Sequence, residues 1–410
     1  MPVNLKLIPA PAFRPRPPVW WKWLLLLVVM LLGGITDAIL SNMSRADIST
    51  DEFWTSALGL PSLFWLTLLV LRISWYKGQL ATAQSKDNAR GRQLRREIQR
   101  GQRYLNVFGM SLHSALREPD DTDGSKQWDA LQEKVKGLKN QPSWKSREGI
   151  RHSRLAQING ESPEQMLSRG LKKTLNDLSL ILSSLPPETQ LDLLLEINSS
   201  IPENQIEDIW LNSWSASQIR QSATRIEGDG LTSLDKWLDD ARSECSLLLV
   251  VGVQLRPDRT EGSAESIVGL LLGGQSILPE SASLARLHRP ELMHHAGTED
   301  FQYALKQALE WVPISANAVK HGFLVGVKPE WHMAIATGLQ AIHSPINVGQ
   351  DIHDLRNTLG FPGPAAPWVA IACTVRGSQF SGTQIIVSCD DQLNTPLWVT
   401  LVTPAGKKQQ

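Results

Sequence analysis

Cys245-Ser-Leu-Leu-Leu-Val-Val-Gly-Val-Gln-Leu255 is a continuous apolar run of strand length, and Ser266-Ile-Val-Gly-Leu-Leu-Leu272 follows it as a second. A strand with one wet face alternates polar and apolar residues, so unbroken runs predict strands covered on both faces. Helices must supply that cover, and the flanking sequence provides them. Residues 232–242 carry Leu234, Trp237 and Leu238 at helical spacing, and residues 202–214 carry Ile206, Ile209, Trp210 and Trp214.

Upstream, residues 163–185 form the clearest helix. Ser162 is a natural N-cap, Pro163 suits the first helical position and Gln165 completes a capping box. Met166, Leu167, Leu171, Leu175, Leu178, Leu182 and Leu185 make one apolar face, and Pro186-Pro187 ends the helix. Residues 191–198 and the run that opens at Tyr104 and turns at Gly109 read as further strands. Residues 299–311, 329–341 and 348–358 read as helices, and 323–327, 368–374, 384–389 and 397–402 as strands. Residues 140–160 are polar and read as irregular. Strands alternating with helices predict a layered α/β region over residues 104–403, with a division into two subdomains near 230.

The N-terminal part is different. Residues 23–40 hold eighteen mostly apolar residues, which at 1.5 Å each reach about 27 Å, close to a bilayer core. A second apolar segment runs from Phe53 to Trp75, with Pro61 inside it and Arg72 near its end. Trp20, Trp21, Trp23, Trp54 and Trp75 mark the edges, as amphipathic rings do at membrane interfaces. Residues 23–75 therefore read as a transmembrane hairpin. A cleaved signal peptide would also follow a basic leader, but a second span arrives within fifteen residues and no small-x-small cleavage site intervenes.

Charge sets the expected orientation. The leader, residues 1–22, has Lys6, Arg14, Arg16 and Lys22 with no acid, whereas the loop 41–52 has Arg45 against Asp47, Asp51 and Glu52. The segment 76–103 carries Lys77, Lys86, Arg90, Arg92, Arg95, Arg96, Arg100 and Arg103 against Asp87 and Glu97. Both flanks are then cytoplasmic, and the basic segment is expected to meet anionic lipid. Cys245, Cys373 and Cys389, an odd and scattered set, fit a reducing compartment. Formal net charge is zero and no aromatic interleaves the basic run before Tyr104, which argues against nucleic-acid binding.

Chemistry-bearing motifs are sparse. Asp351-Ile-His353-Asp354, with His343 and the pair His294-His295, is the best metal-like grouping, but Asp351 and Asp354 share a helical face from which His353 points away. A first-turn acidic pair explains those aspartates more simply. Each cysteine reads as a structural thiol: Cys373 lies in an apolar run, Cys389 precedes Asp390-Asp391, and Cys245 follows Glu244. No nucleophile elbow, phosphate loop or dinucleotide fingerprint is present, so no catalytic, cofactor-binding or metal residue is assigned.

Residues 245–255, 263–272 and 284–290 resemble the strand, edge strand and connection of ketosynthase or thiolase-like folds. Leu359-Gly-Phe-Pro-Gly-Pro-Ala-Ala-Pro-Trp-Val-Ala370 is similar to their late glycine-alanine turn and helix. The condensing enzymes' elbow cysteine and their two histidine motifs are unmatched, so the resemblance implies a catalytically empty copy. With its hairpin, the chain also resembles the lipase-adaptor proteins of bacterial type VI secretion. That implies a noncatalytic, multi-pass inner-membrane adaptor with both termini and its main domain cytoplasmic, whose protein partner is a secreted effector or spike component. The alternative is an acyl-transfer enzyme at the membrane, which needs a cysteine within reach of His321, His332 or His353.

Overall fold

Two apolar segments joined by a short polar loop form a helical hairpin when each buries its backbone polar groups in its own helix. The computed structural model describes residue 3 and residues 5–44, 50–144, 148–158, 160–274, 276–295, 297–389 and 397–406. Within those, the chain divides into one unit over Asn4–Glu97 and another over Met1–Val3 and Ile98–Gln410. Arg45 and Asp47 of the loop, Asp390-Asp391 and the tail from Lys407 onward lie outside the described residues.

The first unit holds helix α1 (Trp20–Ser44), the short helix α2 (Thr50–Trp54) and most of α3 (Leu60–Gly101). Both long helices contain windows apolar enough to cross a membrane, and only 6% of each window is buried. That exposure separates them from the core helices of a soluble domain. Between α2 and α3 lies one π-helical turn, Thr55–Gly59, whose last bond runs from the Leu60 N–H to the Thr55 carbonyl. Pro61 has no N–H to give Ala57, so the wider turn accommodates it. The Ala57 carbonyl packs on Gly34, where a Cβ would come within 2.6 Å of it and 2.4 Å of Pro61 Cγ. Trp65 Nε1 donates to the Trp23 carbonyl at 2.8 Å and pins the hairpin at its other end. Helix α3 continues without a break through the basic segment to Gly101.

The second unit opens on β1 (Tyr104–His113), then α4 (Ser125–Gln132), the hairpin β2 (Lys139–Pro142) and β3 (Gly149–His152), and α5 (Pro163–Leu182). Next come β4 (Leu191–Ser199), α6 (Glu203–Ser215), β5 (Ala223–Arg225), α7 (Gly230–Asp239), β6 (Leu247–Leu255) and β7 (Ser266–Gly273). A second run follows: β8 (Ala285–His288), β9 (Glu291–Leu292), α8 (Thr298–Trp311), β10 (His321–Val325), α9 (Pro329–Ala341), β11 (Ile352–Asp354), α10 (Leu355–Thr358), α11 (Ala366–Ser381), β12 (Gln384–Ser388) and β13 (Trp398–Pro404).

The large sheet has the order β11-β10-β12-β13-β8-β1-β7-β6-β4-β5. Counted from its centre outward, each half repeats one pattern. Strand one (β1 or β8) pairs antiparallel with strand five (β7 or β13), which pairs antiparallel with strand four (β6 or β12). Strand two (β4 or β10) then lies parallel between strands four and three. The halves join at β1–β8, with Tyr104 opposite His288. The first repeat ends at Gly273 and the second begins at Ala285.

Alternate residues along each strand face different cores. Leu249, Val251, Ile267 and Leu271 pack with α5 and α6, whereas Leu248, Val250, Leu270 and Leu272 face a shared core with α7 and α11. In the second half Leu324, Val387 and Leu401 pack with α8 and α9, whereas Phe323, Val325 and Ile386 join that shared core. The result is five layers, helix on strand on helix on strand on helix. The expected strand at 368–374 is instead α11, buried on nearly every side. Ala366, Ala370 and Ala372 let both halves of the large sheet approach it, and an apolar run without periodicity reads alike as buried helix or buried strand. The expected helix at 348–358 is β11 plus one turn, and residues 140–160 contain the β2–β3 hairpin.

The last turn of α3 is held in this unit by buried charge. Arg289, fully buried, pairs with Asp235 at 2.7 Å and Asp239 at 2.9 Å and donates to the Arg100 carbonyl at 2.9 Å. Gly101 lies against the Trp311 ring, whose Nε1 donates to Glu291 Oε2 at 3.1 Å. Burial pushes the Glu291 carboxyl up to about 8.

Candidate functional site

Parallel strands deliver their carboxyl ends, and the helix N-termini that follow them, to one side of a sheet, where ligands gather. At the ends of β4 and β6 lies a cleft of about 830 Å³ lined by Glu196, Asn198, Gly230, Gln254, Phe361 and Gly363. The floor is a fixed amide network. Gln254 Nε2 donates to the carbonyls of Ala264 (3.0 Å) and Phe361 (2.7 Å), and its Oε1 accepts from Asn198 Nδ2 at 3.2 Å. Gly363, at φ 54, admits that amide: a Cβ there would lie 1.7 Å from Gln254 Oε1. The rim mixes Glu203, Glu207 and Asp258 with Arg225, Arg259 and Arg356, and Arg225 pairs with Glu207 at 3.3 Å.

One wall is a strand-to-helix elbow. The chain leaves β5, turns through Gly228 and Asp229, and enters α7 at Gly230 with φ 51. An elbow of this kind presents one side chain and one free helix N–H to the cleft, which is where a nucleophile and its oxyanion donor stand in acyl-transfer sites. Here the residue is glycine, and its N–H donates to the Glu196 carboxylate, whose other oxygen accepts from Trp368 Nε1 at 2.7 Å. A protein carboxylate therefore occupies the donor an oxyanion would use. No cysteine or histidine is among the residues that line this cleft.

A smaller cavity of about 140 Å³ is lined by Ser111, Arg117, Trp128, Asp177, Cys373 and Arg376. Ser111 Oγ donates to Asp177 at 2.6 Å and lies 3.2 Å from His113 Nε2. This serine, histidine and aspartate were not singled out from the sequence, where nothing links Ser111 and His113 of β1 to Asp177, 66 residues from Ser111. They are not an activated set. Burial, then the neighbouring Arg117 charge, pushes His113 down to about 3, too weakly basic to take a proton near neutrality. Cys373 is no better, since burial pushes its thiol up to about 12.

The other candidates from the sequence are dispersed. Cys245 is exposed where a 3-10 turn ends, and Cys389 is buried beyond β12. Asp351 accepts the Asn347 N–H at 2.7 Å and Asp354 caps α10 through the Arg356 N–H at 2.9 Å, so the expected first-turn pair serves two separate turns. His353 stacks on Phe323 at 5.2 Å, and His332 reaches Asp354 at 3.7 Å. His343 sits at φ 54, His294 packs near Tyr303, and His321 opens β10. Among the described residues no group of three or more His, Cys, Asp or Glu side chains is placed to hold a metal ion. Trp210 and Trp398 are buried, and Trp214 and Trp331 pack partly buried against the cores.

The duplicated five-strand pattern in five layers is a thiolase-like fold, preceded here by two candidate membrane-spanning helices. Solved structures agree. The ishigamide ketosynthase/chain length factor matches with TM-score 0.53 and 13% identity over 74% of this chain and 100% of its own. An oxazolomycin ketosynthase domain from Streptomyces albus JA3453 matches with TM-score 0.50 and 14% identity, covering 75% of this chain and 96% of its own. The PfaC ketosynthase-chain length factor matches with TM-score 0.50 and 12% identity over 75% of this chain, which spans only 43% of that longer chain. At such identities the likeness is one of fold. No protein-family model and no curated protein matches the chain.

Proposed function

We propose that this chain is a noncatalytic, membrane-anchored protein of thiolase-like fold whose cleft binds a ligand or partner without transforming it. One observation carries this reading: the elbow has glycine at Gly230, and its N–H is held by Glu196. A thiolase-like fold can keep its layered core after its site has lost a nucleophile, because the core rests on strand and helix burial, not on the elbow residue. The two apolar helices support anchoring, and the basic flanks support an inner-membrane topology with both termini cytoplasmic. An adaptor that loads a lipase effector in type VI secretion is a narrower case of this scaffold. No comparison speaks for it, and recovery of a lipase or spike components with the detergent-solubilised protein is its test.

A second reading, an acyl-transfer enzyme at the membrane, is favoured by the ketosynthase folds it matches. The two readings divide in one experiment. The purified full chain is incubated with acyl-coenzyme A or acylated carrier protein and its intact mass measured. The scaffold reading expects no covalent adduct; acylation of Cys245, Cys373 or Cys389 at one per chain overturns it.

A further inference from the structure

The proline-rich leader is not a loose tail. Its Ala12 N–H donates to Asp87 Oδ1 at 2.8 Å, and Arg90 Nε donates to its Pro9 carbonyl at 2.6 Å, so it is strapped along α3. Both bonds and the Trp65–Trp23 bond set a register. From Trp65 to Asp87 the helix rises about 33 Å, and from Trp23 back to Ala12 the chain covers about 30 Å only if the leader is extended at about 3.1 Å per residue.

That register places Arg16 roughly level with Tyr76 and Lys77, and Pro18 roughly level with Arg72, while Lys22 lies about two turns deeper. Arg14, Arg16, Lys22 and Lys77 are exposed, and none of the five cations forms an ion pair among the described residues. No acidic residue precedes Asp37, and none lies between Glu52 and Asp87, so the band carries uncompensated positive charge. Exposed rings lie within the band and on either side of it. Trp20, Trp21 and Trp75 are each 62% exposed and Phe13 is 84% exposed; Lys22 sits 5.6 Å over Trp21, and Arg72 5.3 Å over Trp75.

We infer that the strap and the facing turns of α3 together form a site for the phosphate headgroups of anionic phospholipids, made by Arg14, Arg16, Lys22, Arg72 and Lys77. The rings seat at the headgroup level and the cations reach the phosphates, an arrangement that a helix alone would offer on one side only. The inference rests on the anchored reading above and names the lipid class that anchor selects. The strap is what brings the leader's cations to the helix's cations.

The test uses the full chain in nanodiscs of equal phosphatidylglycerol and phosphatidylcholine, followed by detergent release and native mass spectrometry of retained lipid. The wild type is expected to retain phosphatidylglycerol in excess of its share. Arg14→Ala with Arg16→Ala is expected to cut that excess roughly fivefold or more. Asp87→Ala, which removes one of the strap's two bonds and no cation, is expected to cut it in part. Equal retention of both lipids, or an excess unchanged in the double variant, overturns the inference. Displacement of the lipid by millimolar glycerol phosphate overturns it too, since that marks a free-phosphate site. Carbonate washing of the source membranes separates the two failures: release of the protein defeats the anchor, whereas retention in the membrane without lipid preference defeats only the headgroup site.

Discussion

Glu291→Gln is expected to stabilise the protein by an amount that grows as pH rises from about 4.5 towards 8, and to leave it unchanged below about pH 4.5. Burial raises this carboxyl from its ordinary 4.5 to about 8, against the weaker opposing effect of the Trp311 indole N–H. Below the unfolded value both states are protonated and no penalty exists. As pH rises towards 8 the unfolded chain ionises while the folded one holds its proton, so stability falls across that window by up to about 1.4 kcal/mol per pH unit. The limit is about 5 kcal/mol, and relaxation around the site brings the expected difference to about 2–4 kcal/mol. Glutamine keeps an acceptor for Trp311 Nε1 and does not titrate. The assay is urea unfolding of the full chain in detergent, at several pH values from mild acid to pH 8.5. A difference between variant and wild type that is constant with pH, or a variant less stable at the alkaline end, refutes the assignment of this penalty to Glu291.

Arg289→Met is expected to lower stability by about 3–5 kcal/mol, because it strips the cation from a buried aspartate, whereas Arg225→Met at the exposed pair with Glu207 changes it by less than about 1 kcal/mol; thermal unfolding distinguishes them. Gly363→Ala is expected to cost more than about 2 kcal/mol through its positive φ and the overlap with Gln254, and a Gln254→Ala background is expected to relieve part of that loss in the same measurement. Alkylation at pH 8 is expected to mark Cys245 quickly and spare Cys373 in the folded chain, and mass mapping that finds Cys373 labelled at a similar rate counts against its buried, protonated state.

Much of the architecture was legible because it rests on local signals. The capping box at Ser162 and Gln165 forms as expected, and the buried runs became β6 and β7. The two long apolar helices, candidate membrane spans, were legible from hydropathy alone. What escaped was nonlocal. The short strands β5, β8, β9 and β11 have two to four residues each and gain their pairing from neighbours distant in sequence. Helix α11 hid because a helix buried on all sides loses the amphipathic period that betrays one. The cleft itself was not legible: its elbow residue, Gly230, carries no side chain for a motif to mark. Glu196 draws its role from partners 34 and 172 residues away, and Gln254 reaches Phe361 across 107, separations that sequence spacing does not encode.

The repeat of one strand pattern in both halves makes α7 and α11 counterparts, each entering the shared core after its own third strand. They have diverged in opposite directions. One has become a pillar of sixteen residues walled in by both halves of the sheet, while the start of the other is left at the edge of the cleft. Equivalent positions thus carry unequal burdens. Sequence change along α11 is constrained by volume, and change at the entry to α7 by whatever the cleft accepts, so the two helices of one duplicated design are free to evolve at different rates.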